Sequence, residues 1–171
     1  MLSKRPSWVA IYTQSRFERK VEERLRNAGF ETYLPLIEEK RKWSDRMKMV
    51  EFPLILSYVF AKITSTDPST VRSVPGVVYI VSFRSTIETI PDEEIEAMRL
   101  FVDKKKKIYI HDNSLLKRGA KVFITEGEFA GMQGELIKDC KDGNFGIRIG
   151  AIGVSLVTEI DSLMLKPISE E

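Results

Sequence analysis

The chain has 171 residues, 43% of them hydrophobic and 30% charged, a composition that suits one ordinary or two small folded domains. Its one cysteine, Cys140, excludes a disulfide framework and fits a reducing compartment. The longest near-apolar run, residues 52–61, is far shorter than the ~20 residues that span a bilayer. We therefore expect a cytoplasmic protein with no signal peptide and no membrane partner.

Charge is distributed unevenly along the chain. The formal net charge is only +2, yet residues 1–50 and residues 104–118 each carry +5, whereas residues 119–171 carry −4. Such asymmetry predicts a half that faces nucleic acid and an acidic half with another task.

The first half of the chain is predicted to begin with a buried strand at residues 8–12. Ser15 and Glu18 have the spacing of a capping box, and an apolar stripe with Gly29 as its stop predicts a helix over residues 16–28. The remaining predicted elements are an extended stretch at 30–37, a charged hairpin at 38–49 turning near 44–45, strands at 54–63 and 77–83, a short helix at 68–73, and a third helix opening at Pro91 with Ile95, Met98 and Val102 on one face.

This mixture of strands and helices predicts an α+β sandwich, in which helices pack on a mostly antiparallel sheet. After the four lysines at 104–107 the pattern changes, because residues 119–167 show short strands separated by glycine turns and no helical period. We therefore predict a first domain at 1–103, a basic linker at 104–117, and a small β-barrel domain at 118–171.

The most specific stretch runs from residue 119 to residue 137 and resembles a KOW motif. Val122 and Ile124 alternate on a strand, and Gly127 and Gly131 allow the backbone angles of a tight loop. Phe129 is the one large apolar side chain of that loop. The resemblance implies an SH3-like barrel.

Four segments of the first half, taken in order, resemble an NGN domain. They are Trp8–Tyr12 followed by Phe17–Val21, Pro53–Phe60, Val71–Val77, and Ile90–Ile95. An NGN domain followed by a KOW domain is the arrangement of the NusG family, which implies a transcription elongation factor or antiterminator that suppresses pausing and termination. Leu56-Ser57 replaces the usual Pro-Gly, as in specialised RfaH-like and UpxY-like paralogues, so the resemblance favours operon-specific action.

The family resemblance also implies partners and the residues that meet them. An apolar patch would bind the clamp helices of the largest RNA polymerase subunit, with two hydroxyl residues on the opposite side of the cleft: Tyr58, Phe60, Phe83, Ile95, Ser69 and Thr70. Basic residues of the first helix would face upstream or non-template DNA: Arg16, Arg19, Lys20 and Arg24. The KOW loop, with Gly127, Phe129 and Gly131, would recruit a small-subunit ribosomal protein or the termination factor Rho. A monomer is expected.

Alternatives of other classes stay open at this point. KOW modules also occur in ribosome-associated RNA-binding proteins, although the −4 charge of residues 119–171 disfavours RNA binding by the barrel. A general housekeeping factor of the same family is the second alternative. An enzyme is disfavoured, because the chain has a single histidine, His111, and neither a phosphate-binding motif nor metal-ligand spacing. We expect no cofactor and no metal.

Overall fold

The computed structural model describes residues 2–42, 46–103, 108–112, 119–137 and 144–168. The chain divides into two units, residues 1–92 and residues 93–171. In the first unit the elements are β1 (Ser7–Thr13), α1 (Glu18–Asn27), β2 (Glu31–Tyr33), β3 (Leu36–Lys42), β4 (Met47–Pro53), β5 (Tyr58–Ile63), α2 (Pro68–Ser73), β6 (Val77–Ile80), β7 (Ser82–Phe83) and β8 (Thr86–Ile87).

The core of the first unit lies on one face of a four-stranded antiparallel sheet with the order β2-β5-β1-β6. Alternate residues of β1 and β5, such as Ile11 and Val59, pack against Val21 and Leu25 of α1 and Val71 of α2. The stripe predicted from the sequence is therefore the buried side of α1. The opposite face of the sheet carries the other alternate residues of each strand.

The predicted capping box at the start of α1 does not form. The helix begins at Glu18, and within the described chain no side chain caps its first turn. The carboxylate of Glu18 instead accepts a hydrogen bond from the backbone N–H of Ser57 at 2.8 Å. Glu18 is almost completely buried, because it is directed toward the loop before β5 rather than toward its own helix end.

Two predicted strands are shorter than the sequence pattern suggested. The strand predicted at 54–63 begins at Tyr58, because residues 54–57 form a turn in which Ser57 has a φ of 62°. The strand predicted at 77–83 ends at Ile80 and is followed by the hairpin β7–β8. Arg84 and Ser85 form the two-residue loop of that hairpin, with φ values of 47° and 65°. Sequence analysis missed it because the loop lacks the Asn-Gly or Asp-Gly pair that marks such turns.

In its described residues, the second unit has one α-helix, two short 3-10 helices (Gly150–Ile152 and Ser162–Met164) and an all-antiparallel sheet. Its elements are α3 (Asp92–Asp103), β9 (Tyr109–Asp112), β10 (Lys121–Ile124), β11 (Gln133–Leu136), β12 (Asn144–Ile149), β13 (Val154–Glu159) and β14 (Leu165–Pro167). The strand order is β14-β10-β11-β12-β13-β9. The α+β class with a β-rich C-terminal domain is thereby confirmed.

Two features of the second unit differ from the predicted organisation. Strand β9 lies inside the range 104–117 predicted as a linker, and it pairs with β13 through four residues. The remainder of that range, residues 104–107 and 113–117, lies outside the described residues. Helix α3 groups with the sheet of the second unit, and its buried face carries Ile95, Met98 and Phe101 rather than Val102.

Candidate functional site

A row of three tyrosines crosses the face of the first sheet that is turned away from α1. Tyr12 of β1 lies directly opposite Tyr58 of β5 and opposite Tyr79 of β6. Its ring meets that of Tyr58 edge-on at 5.3 Å between centroids and stacks on that of Tyr79 at 4.9 Å. Tyr79 is 46% exposed, so the row opens to solvent at its β6 end.

Burial is the main reason that the pKa of the Tyr58 hydroxyl is raised above its usual value of 10.0, followed by the charges of Tyr79 and Tyr12 and a hydrogen bond with Tyr79. The hydroxyl of Tyr58 therefore stays protonated at neutral pH. The row can offer both aromatic surface and O–H donors to a partner, a combination that is common at binding interfaces.

The predicted polymerase-binding patch is only partly exposed in the structure. Phe60 shares the sheet face of Tyr58, two residues along β5, but it is fully buried and its ring lies 6.3 Å from that of Tyr33. Ile95 is fully buried in α3. In this structure both side chains are core residues and offer no surface to a partner. Tyr58 is half-buried, and Phe83 is 62% exposed on the β7–β8 hairpin.

Tyr12 and Tyr79 are not among the site residues predicted from the sequence. The signal that could have found them is the two-residue period of a strand: the neighbouring Ile11 and Ile80 lie in the core under the helices, so Tyr12 and Tyr79 lie on the opposite sheet face. Which strands are neighbours was needed as well, since the row exists only because β1 lies between β5 and β6.

Two further predicted contacts lie on α2. Ser69 and Thr70 are exposed in the first turn of this helix, which begins with Pro68. Val71 fixes the helix to the core through its buried side chain. Both hydroxyls are therefore accessible on the α2 side of the first unit.

The basic residues predicted for DNA binding are exposed around α1. Arg19 forms an ion pair with Glu51 at 2.9 Å, and Lys20 lies over the ring of Phe17 at 4.9 Å from its centroid. Arg24 donates a hydrogen bond to the carbonyl of Pro75. Arg16 precedes the helix with a φ of 64°. All four residues are exposed, so their cationic groups are accessible at the surface.

The predicted partner-binding loop of the barrel has the expected backbone but a buried aromatic ring. Gly127 and Gly131 have φ values of 85° and 86°, as the tight loop requires. Phe129 is only 2% exposed, and its ring lies 5.2 Å from that of Phe101 in α3. The ring of Phe129 is therefore not accessible to a partner in this structure.

No group of three or more His, Cys, Asp and Glu side chains in the described ranges could hold a metal ion. Among the helices of these ranges, none has the length and apolar character needed to cross a membrane.

Comparison with known proteins gives related results in sequence and structure. Residues 6–99 match the family model described as transcription termination factor nusG. The chain is 23% identical to the transcription termination/antitermination protein NusG of Rickettsia bellii, an alignment that covers 93% of this chain and 88% of that protein.

Among solved structures, the chain is similar to one described as domain interaction in Thermotoga maritima NusG. The identity is 20% and the TM-score 0.49, with coverage of 96% of this chain and 98% of that one. A structure of the MjSpt4:Spt5 complex in conformation A matches with 16% identity and a TM-score of 0.31, covering 96% of this chain and 99% of that one.

Proposed function

The chain belongs to the NusG family of transcription termination factors, and from that premise we propose that it is an elongation factor that binds RNA polymerase and suppresses pausing and termination. The observation that carries the proposal is the tyrosine row of the first sheet together with the exposed ring of Phe83. Neighbouring aromatic rings that stay partly exposed are typical of a surface that a partner covers.

The polymerase contact is therefore proposed at Tyr12, Tyr58, Tyr79 and Phe83, where the clamp helices of the largest subunit would lie. Burying an aromatic side chain contributes about 1.5–3 kcal/mol, from which the costs of association are subtracted. Clustered tyrosines are typical of the residues that dominate an interface. Phe60 would support this surface from below as a core residue, and Ser69 and Thr70 would contact the opposite side of the cleft by hydrogen bonding.

Upstream DNA is the second proposed partner, held by Arg16, Arg19, Lys20 and Arg24. Contacts with phosphates give affinity that does not depend on sequence and that falls as salt rises. Three or four such contacts would give a slope of roughly −3 in a plot of log affinity against log salt concentration. Holding the clamp and the DNA together would disfavour the paused conformation, by no more than the difference in affinity between the two states.

The C-terminal barrel is proposed to recruit a further factor through the loop Gly127–Gly131, either a small-subunit ribosomal protein or Rho. The exposed rim of that loop, formed by Glu126, Glu128 and Ala130, would meet the partner first. Contact with Phe129 itself would require its buried ring to become exposed.

An operon-specific role is proposed from the segment Leu56-Ser57. Ser57 takes the left-handed φ of 62° that glycine adopts most readily, and the buried Glu18 holds its N–H. Genome-wide occupancy restricted to a few operons would support this role, whereas occupancy of most transcribed genes would assign the protein to general elongation.

Transcription in vitro tests the main proposal. Purified polymerase would transcribe a template that contains a pause site and a terminator, with and without the full-length protein. We expect the protein to raise read-through, and the double variant Tyr58→Ala/Tyr79→Ala to abolish the effect while remaining folded by circular dichroism. Leu163→Ala, at a side chain that is 88% exposed in the second unit, is the matched control and should retain full activity. A wild-type protein that changes neither pausing nor termination would contradict the proposal.

A further inference from the structure

Strands β3 and β4 form a two-stranded ribbon that belongs to neither large sheet. Seven residues of each strand pair in register, from Leu36 opposite Pro53 to Lys42 opposite Met47. At about 3.3 Å per residue the paired strands extend for roughly 23 Å. We refer to residues 36–53 as the hairpin arm.

The distal rungs of the hairpin arm combine cations with exposed methionines. Lys40 lies opposite Met49 and Lys42 opposite Met47, so that these four side chains share one face of the ribbon. Met47 is 60% and Met49 is 47% exposed, and both lysines are exposed beside them. Lys48, exposed as well, adds a cation on the other face.

The distal part of the arm is basic, whereas its base is acidic. Residues 40–48 contain five Lys or Arg and one acid, whereas the base carries Glu38, Glu39 and Glu51. Glu38 and Glu51 are directly opposite each other, a like-charge pair that would weaken the ribbon. Arg19 of α1 offsets this repulsion by its ion pair with Glu51, and it thereby joins the basic helix to the base of the arm.

We propose that the distal hairpin arm binds the major groove of double-stranded DNA, as a second DNA contact beside α1. The inference rests on the proposed function, because it assumes that DNA lies next to α1. A two-stranded β-ribbon fits the major groove, which is about 12 Å wide. Lys40, Lys42 and Lys48 pair with phosphates, and the flexible side chains of Met47 and Met49 lie against sugars and base edges.

A protein partner fits the arm less well than DNA does. Among the described rungs of the distal arm, each exposed methionine lies opposite a lysine, and the next rung on that face toward the base is the pair Glu38 and Glu51. Interfaces between proteins are depleted in lysine, whereas DNA-binding surfaces are rich in cations.

Fluorescence anisotropy of the full-length protein with a labelled 25-base-pair duplex tests the inference across a range of salt concentrations. The arm variant Lys40→Gln/Lys42→Gln/Lys48→Gln should reduce the magnitude of the salt slope by about 2–3 and raise Kd at least about tenfold in 0.1 M salt. The variant Lys4→Gln/Lys121→Gln/Lys166→Gln has the same change in net charge at exposed lysines elsewhere, and should bind like the wild type. Met47→Ser/Met49→Ser should weaken binding severalfold without changing the slope.

Several results would overturn the inference. One is an unchanged salt slope in the arm variant, and another is an equal loss in the charge-matched control. A third is an arm variant that binds single-stranded DNA more weakly than the wild type but binds the duplex with unchanged affinity. A fourth is weaker polymerase binding with duplex affinity intact, which would make the arm a protein contact. Read-through is measured separately, so a wild-type protein that promotes read-through but does not bind duplex loses this inference and keeps the proposed function.

Discussion

Residues 1–92 leave Tyr79 and Phe83 substantially exposed, whereas in residues 93–171 the rings of Phe101, Phe129 and Phe145 are all buried. The net charges of the two units also differ. The first unit has fifteen Lys or Arg against eleven Asp or Glu, a net charge of +4, and the second has twelve against fourteen, a net charge of −2. Among the described residues, the first unit thus combines exposed aromatic rings with a net positive charge, whereas the second unit has a net negative charge.

The difference shows where surface is available for partners. In the first unit the helices α1 and α2 cover one face of the sheet, so that the tyrosine row can serve for binding. In the second unit the ring of Phe101 in α3 packs beside the buried rings of Phe129 and Phe145. Substitutions in the two units should therefore affect different measurements, binding in the first and stability in the second.

The largest effect is expected for Phe101→Ala. The ring of Phe101 lies 5.2 Å from that of Phe129 and 6.3 Å from that of Phe145, and a buried Phe→Ala change costs about 3–5 kcal/mol in the free energy of unfolding. Urea denaturation would measure it. Phe83→Ala, at an exposed ring, should change stability by no more than about 0.5 kcal/mol. Equal losses in the two variants would contradict the contrast between the units.

Affinity for polymerase should show the opposite order, with the larger loss for substitutions in the first unit. Tyr58→Ala/Tyr79→Ala should weaken binding to purified polymerase by about 10- to 100-fold, because it removes roughly 1.4–2.8 kcal/mol of interface contact. Biolayer interferometry with immobilised polymerase would measure Kd, and Leu163→Ala in the second unit is the control. An unchanged Kd in a folded double variant would exclude the tyrosine row as the polymerase contact.

Glu18→Ala is expected to have an intermediate effect within the first unit. A buried carboxylate that accepts a backbone N–H contributes about 1.5–3 kcal/mol, and the variant leaves the N–H of Ser57 without that acceptor. Urea denaturation should show a loss of about 2 kcal/mol. If Ser15→Ala destabilised the protein more than Glu18→Ala, the capping box rather than this long-range bond would be the stabilising contact.

The role of Glu18 illustrates which parts of the structure the sequence could predict. Local periodicity was sufficient for the buried stripe of α1, the hairpin arm and the glycine loop at residues 127–131, because each depends on neighbours in the chain. The bond from Ser57 to Glu18 joins residues 39 positions apart, and no local pattern encodes it. The tyrosine row likewise depends on strand order.

The sequence pattern also could not predict which of the proposed site residues are buried. Phe60 and Tyr58 have the same alternation in β5, yet Phe60 is fully buried and Tyr58 only half-buried. Strand β9 was missed for a related reason, since the lysines before it suggested a linker while its pairing with β13 is a non-local contact.

Ser57→Gly should increase stability by a smaller amount. A left-handed φ costs a residue with a side chain roughly 1–2 kcal/mol, and the greater entropy of unfolded glycine offsets about 0.5–1 kcal/mol of the relief. We expect a net gain of about 0.5–1 kcal/mol by urea denaturation. Gly153→Ala in the second unit, at a φ of 68°, applies the reverse change and should destabilise the protein. A loss of stability in Ser57→Gly would mean that the serine hydroxyl outweighs the backbone strain.

The smallest effect concerns pH, and it has opposite signs in the two units. Burial raises the pKa of Glu94 above 4.5, so its contribution to stability is present below that value and is lost as pH rises through the raised pKa. Hydrogen bonds from Thr64 lower the pKa of Asp67 below 3.8, so its contribution is present above that value and is lost as pH falls through the lowered pKa.

Relative to the wild type, Glu94→Gln should therefore gain a few tenths of a kcal/mol between pH 4 and pH 7. Asp67→Asn should lose stability relative to the wild type as pH rises from 2 to 5. Urea midpoints at each pH would measure both, and a shift of the same sign in the two variants would show that bulk charge rather than these local contacts sets the pH dependence.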